Sequence, residues 1–447
     1  MTERIPLVFL ITAILSLLFG AFIGNLAGIQ YLDPQFLKGI LPFNQMRELH
    51  VSSMISWIIL AAVGGIYYYI AIELKNKIYS KNLASLHMFL YVLTGISIYF
   101  SIFSGNMGGR EYMTFLPLLM IPILLGWVIF GINYFKTLLA QVKGWPVYLW
   151  MWGTGIIFMT YHLSEANFWI FSHFRENYIR DMTVQWKSYG SFVGSWNMLV
   201  YGTALFLMAR IKGDENIARN KIAFFFYFLG LSNMMFGWAH HIYLMPAKAW
   251  IRALAYITSM TEWIVLGSII INWYRSLSDD QKLKNLLPFR FLGITNIWIF
   301  FNIFLAILIS IPAINYFTHG THVIVAHSMG TTIGINTSIL ICSLLFICSK
   351  ISPESVNKHK KIISAGMVVF NVSLAVFLVS LVIAGYMKGQ WRYSGDGFYA
   401  SMHESISPYL KIFIYSGFAL LVGLMLITVP ILKEMIAKLL RKESVNA

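Results

Sequence analysis

The chain is short of charge. Only 11% of its 447 residues are Asp, Glu, Lys or Arg, while 58% are hydrophobic. A soluble domain carries roughly 25% charged and roughly 45–50% apolar residues, so this sequence cannot clothe a soluble surface of its size. That excludes a soluble enzyme and a disordered scaffold. Cysteine is scarce as well. Cys342 and Cys348 stand six apart in one apolar run and read as packing residues. No CxxCH occurs, which rules out a heme attached through that motif. Low-complexity linkers and convincing internal repeats are also missing.

What the chain has instead is apolar runs of about 20 residues, each long enough to cross roughly 30 Å of hydrocarbon as a helix. Twelve can be marked, at 6–29, 49–73, 85–104, 114–136, 145–168, 184–209, 222–245, 253–274, 291–314, 320–348, 362–387 and 408–432. The expectation is an all-α polytopic membrane protein of twelve helices, one integral-membrane domain over residues 1–447. The opening run, MTERIPLVFLITAILSLLFGAFIG, is too long for the apolar region of a signal peptide and reads as a retained first span.

The net charge of +15 would suit a nucleic-acid partner in a soluble protein. Here it has a different source. With the N-terminus on the cytoplasmic side, 22 of the 33 Lys and Arg residues fall in cytoplasmic segments. That bias is the positive-inside rule; it puts both termini in the cytoplasm and makes the basic excess a topology signal, with the lipid membrane as partner and no nucleic acid.

Ionisable side chains within spans are costly and by default mark function. His50 opens span 2, three residues after Arg47, in PFNQMRELH. His240 and His241 are adjacent in span 7, in FGWAHHIYLMP, and His327 lies in span 10, in THVIVAHSMG. All four sit towards the outer half of the membrane. A lone histidine there can be a hydrogen-bonded packing residue, but four at one depth, two of them adjacent, point to metal ligation by neutral imidazole. His327 and Met329 are two residues apart, about 200° around a helix, so one helix can serve two metal centres. Glu262 is the one acidic residue near the middle of a span, which suits proton relay or a structural hydrogen bond. His87, His173, His359 and His403 lie at span starts or in loops and read as ordinary.

Taken in order, LLFGAFIGNLAGIQY with PFNQMRELH, GGREYMTFLP, GWAHHIYLMPAKAW, SMTEWIV and NYFTHGTHVIVAHSMG resemble the catalytic subunit of the heme-copper oxidase superfamily. Within it the chain is most similar to the large subunit of bacterial cytochrome-c-dependent nitric oxide reductase, over essentially all twelve spans. The resemblance implies a subunit of the bacterial cytoplasmic membrane with two non-covalent hemes. His50 matches the ligand of a low-spin b-type heme and His327 the proximal ligand of a high-spin, substrate-binding heme. His240 and His241 match two ligands of a non-heme iron or copper facing it. Arg47 matches an arginine near the propionates, Glu111 a carboxylate that binds calcium beside them or pairs with Arg110, and Glu262 an acid that passes protons.

Two positions depart from that pattern. Where the family has a second histidine after the proximal one, this chain has Met329, which would make the low-spin heme His50/Met329 or leave Met329 as packing. Span 6, TVQWKSYGSFVGSWNMLVYG, contains no histidine and no carboxylate; Tyr189 falls at the family's histidine position and Val193 at its glutamate position. Tyr189, Lys187 or water would complete the shell of the second metal. Otherwise that metal is absent and Lys187 or Tyr189 supplies protons or a fixed charge. His162 and Glu165, spaced i, i+3 near the end of span 5, share a helix face and suit a metal, a propionate, proton entry or an ion pair.

The activity implied is electron flow from an outside donor through the low-spin heme to the high-spin heme, where a small diatomic gas, most simply NO going to N2O, is reduced. The donor would be a partner subunit with cytochrome c or a cupredoxin-like copper centre. Two other readings stand beside it: an oxygen-reducing terminal oxidase, and a non-catalytic diheme protein that transfers electrons or senses gas. A secondary transporter fits twelve spans but leaves the histidines unexplained.

Overall fold

The computed structural model describes residues 4–242, 248–395 and 397–441. Among them, eleven helices are long and apolar enough to cross a membrane: α1 (Arg4–Ile29), α2 (Phe43–Glu73), α3 (Lys81–Phe103), α4 (Pro117–Gln141), α6 (Tyr178–Lys212), α7 (Glu215–His240), α8 (Ala249–Ser276), α9 (Leu286–Ser310), α10 (His322–Ile351), α11 (Pro353–Ser394) and α12 (Tyr399–Leu440). α5 (Val147–Glu165) corresponds to the remaining expected span. Its tryptophans, tyrosines and His162 lower its hydropathy relative to its neighbours. The protein is all-α and polytopic.

Helix ends follow local chemistry. Asn177 caps α6 by accepting from Arg180 N–H at 3.1 Å, and Gly213 ends the helix at a left-handed φ of 73°. Ser80 and Thr321 cap α3 and α10 in the same way. The expected spans stop at the last apolar residue, whereas α6, α11 and α12 run on into polar sequence, because Lys, Arg and Glu are good helix formers.

The outward faces are apolar. On α3, Leu86, Phe89, Leu93, Ile96, Phe100 and Phe103 are all exposed. Their three- and four-residue spacing draws one stripe along the helix. Soluble proteins do not leave such a stripe in water; lipid covers it.

The helices form two compact units. One is built from α1–α4, the end of α10, the start of α11 and the end of α12; the other from α5–α9, the start of α10, the end of α11 and the start of α12. In the first, α1 packs along α2, and α3 along α4. In the second, α5 lies along α6, and α6, α7, α8 and α9 pack in succession, with α9 against a π-helical turn of α10, Gly330–Thr337. The π turn begins directly after Met329. Such turns are rare and often mark functional positions.

Candidate functional site

In the first unit, the His50 ring lies in a groove of α1. Its Nδ1 is 2.8 Å from the Gly20 carbonyl oxygen. A carbonyl only accepts, so Nδ1 carries the proton and Nε2 keeps the lone pair. Fixing the tautomer this way is what a metal-binding histidine needs. Gly24, one turn along α1, makes room: a Cβ there would stand 2.4 Å from His50 Nδ1. The glycines of LLFGAFIGNLAG are therefore the wall against which His50 is set. The residues fit a heme ligand at this position.

One turn before His50, Arg47 forms ion pairs with Glu48, at 2.5 Å, and with Glu111. Glu111 stands in the two-residue turn of a hairpin, β1 (Met107–Arg110) and β2 (Met113–Phe115), whose other turn residue, Tyr112, has φ of 66°. Thr114 Oγ1 donates to Glu48 Oε2 at 2.9 Å. Two carboxylates thus converge on Arg47, and Glu111 already has a cationic partner. Glu48 is buried and was not singled out in the sequence, although it stands between Arg47 and His50.

In the second unit, Glu262 of α8 is 3% exposed. Its Oε2 accepts from Asn233 Nδ2 of α7. Ser259, three residues before Glu262, donates from Oγ to Asn233 Oδ1 at 2.7 Å and lies 3.3 Å from His240 Nδ1. His240 belongs to the 3-10 turn Gly237–Ile242 that closes α7. The side chain of His241 lies outside the described residues. Trp263, next to Glu262, stacks obliquely on His327, ring centres 5.7 Å apart. α8 therefore carries both the buried acid and the aromatic that meets the proposed heme ligand. Asn233 and Ser259 were not predicted from the sequence.

These sites sit in one continuous match: the family model described as cytochrome C and quinol oxidase polypeptide I covers residues 4–419. The chain belongs to that family. It is an integral membrane subunit of a respiratory oxidoreductase, and the family implies hemes, a metal site and partner subunits. A nitric oxide reductase subunit of Stutzerimonas stutzeri is 20% identical over 393 residues, covering 82% of this chain and 80% of that protein. A heme-copper terminal oxidase solved as a dimer by cryo-EM has the same fold, with a TM-score of 0.72 at 13% identity over 99% of this chain and 84% of that one.

Against this polypeptide I background, the anomaly of α6 takes a definite shape. Tyr189 is buried and Val193 half-buried, so neither position offers a histidine or a carboxylate. Lys187 Nζ lies 2.6 Å from both carboxylate oxygens of Glu165, and 5.2 Å from the Tyr161 ring centre. This ion pair suits the fixed-charge reading of Lys187, because an ammonium held by a carboxylate has no lone pair to offer a metal. His162 Nδ1 stands 3.3 Å from Glu165 Oε2. The expected pair His162 and Glu165 thus joins Lys187 in one polar cluster, in which Glu165 and Lys187 form the ion pair. Among the described residues, no group of three or more His, Cys, Asp or Glu side chains could hold a metal ion. The described side chains do not by themselves fit a complete second metal shell. His50 belongs to the first unit and Met329 to the second, and their pairing on one heme stands as a reading of the sequence.

Proposed function

We propose that this chain is the catalytic subunit of a nitric oxide reductase-like complex, which takes electrons from an external donor through a low-spin heme at His50 to a high-spin heme at His327 and reduces NO. The balance is two NO, two electrons and two protons to N2O and water. The heme at His327 would bind the gas and deliver electrons to it. The observation that carries the reading is the placement of Glu262: a buried carboxyl on the helix whose next residue, Trp263, meets His327. Reduction of NO consumes protons, and a carboxyl held within reach of the site by Asn233 can supply them. The similarity to the nitric oxide reductase of Stutzerimonas stutzeri supports the same substrate. The donor is a partner subunit with cytochrome c or a cupredoxin-like copper centre.

The second reading, oxygen reduction, draws on Tyr189. It is buried on α6, the helix that packs on the turn carrying His240, where a redox-active tyrosine would serve O2 chemistry.

The test is to purify the complex, quantify heme, iron and copper per chain, and measure NO and O2 consumption. Two hemes with NO turnover support the proposal. O2 turnover without NO turnover moves the assignment to the oxidase, and two hemes with neither gas consumed leaves a non-catalytic diheme protein. Glu262→Gln should lower turnover by about 10²–10⁴-fold, the usual worth of a positioned proton donor, with heme content unchanged. Full activity in that variant removes Glu262 from the proton path.

A further inference from the structure

We infer that Asn233 is a positioning residue, tying the Glu262 carboxyl to the His240 ring through Ser259 and thereby setting which nitrogen of His240 holds the lone pair. This role rests on the functional reading above and extends it to Asn233, which lies outside every motif quoted above, and to Ser259, which had no role assigned.

Counting protons gives the direction of the hydrogen bonds. The Ser259 hydroxyl has one proton, and it is spent on Asn233 Oδ1 at 2.7 Å. His240 Nδ1 faces the same hydroxyl oxygen at 3.3 Å. With the hydroxyl proton committed, the ring nitrogen must be the donor, so Nδ1 is protonated and Nε2 is left with the lone pair. At the other end, the Asn233 amide N–H donates to Glu262 Oε2. The relay therefore has a single sense, His240 to Ser259 to Asn233 to Glu262, with every donor pointing towards the Oε2 atom of Glu262. An asparagine suits the central position because its side chain accepts at one atom and donates from the other. A leucine of the same size can do neither.

The backbone is shaped for this relay. Gly237 lies four residues after Asn233 and opens the turn that carries His240. A Cβ at Gly237 would stand 1.9 Å from Asn233 Oδ1 and 3.2 Å from Ser259 Oγ. Ser259 and Glu262 share one face of α8 at i, i+3, so one helix presents both the relay hydroxyl and its terminal acceptor. Partners of this kind orient a histidine ring and raise its basicity, and losing one typically costs about 10–100-fold in affinity or activity.

The test uses the purified complex and four variants: Asn233→Leu, Ser259→Ala, Gly237→Ala and Ser259→Thr. Two readouts are taken: the C–O stretching band of CO bound to the reduced high-spin heme, which senses the groups facing it, and steady-state NO turnover. The low-spin heme absorbance and heme content check folding. Asn233→Leu, Ser259→Ala and Gly237→Ala should move the C–O band in a common direction and lower kcat by about 10–100-fold with KM nearly unchanged. Ser259→Thr keeps the hydroxyl and should restore both. A wild-type band and wild-type kcat in folded Ser259→Ala or Asn233→Leu would overturn the inference. If the wild-type complex itself binds no CO, the functional reading fails and takes the inference with it; that failure is seen before any variant is made.

Discussion

Lys187 shows how a single contact changes a residue's chemistry. On the sequence it is a lysine inside a span, free to be a ligand, a proton source or a fixed charge. Its bond to both oxygens of Glu165 favours the last role. Both partners are largely buried, with side chains 20% and 14% exposed. Removing one member of such a pair strands the other charge and costs up to about 3–5 kcal/mol. Lys187→Met should therefore lower the thermal midpoint of the purified complex, and the double variant Lys187→Met with Glu165→Leu should recover much of the loss. Heme and non-heme metal per chain should stay unchanged in both, as measured by metal analysis; loss of metal would return Lys187 to the ligand set. At this scale the sequence was legible where charge is rare. His50, His240, His241, Glu262 and His327 stood out because an ionisable group in a span has few innocent explanations, whereas Arg47, just before span 2, came from the resemblance. Asn233 and Ser259 did not, since short polar side chains are tolerated in helices by bonding to their own backbone. Their partners come from other helices, and no spacing along one helix reveals them.

At the scale of an element, α1 shows that a glycine motif can be a statement about a neighbouring side chain. Gly20 lends its carbonyl to His50, and Gly24 leaves the space that the ring fills. Gly24→Ala would put a methyl 2.4 Å from Nδ1, and the ring must turn away from its carbonyl partner. The variant should lose low-spin heme affinity by about 10–100-fold, seen as a reduced low-spin absorbance band and a heme-to-chain ratio nearer one than two. Gly95→Ala on α3 is the control: a Cβ there meets nothing within 4 Å, so that variant should keep its full heme complement. An unchanged low-spin band in Gly24→Ala would mean that the His50 ring is not held by this groove. The existence and order of the helices were readable because hydrocarbon thickness sets their length. The π turn after Met329 was not, because widening a helix by one residue depends on packing against α9 and leaves no period in the sequence.

At the scale of the whole molecule the decisive property is orientation, and it follows from the few charges the composition holds. By the positive-inside rule, the 22 to 11 division of Lys and Arg predicts the α5–α6 connection outside and the α8–α9 connection in the cytoplasm. This is open to a direct test because the chain's two cysteines, Cys342 and Cys348, are both buried and give little background to thiol labelling. Glu176 lies exposed in the α5–α6 connection and Asp280 exposed in the α8–α9 connection. In intact spheroplasts, a membrane-impermeant maleimide should label Glu176→Cys and spare Asp280→Cys, and permeabilised cells should label both. The reverse pattern would invert the topology. It would also move Arg47, Glu111 and the Lys187–Glu165 pair to the cytoplasmic side, where an external electron donor could not reach them. The labelling result thus bears on the side from which electrons enter, while gas turnover bears on the chemistry they drive.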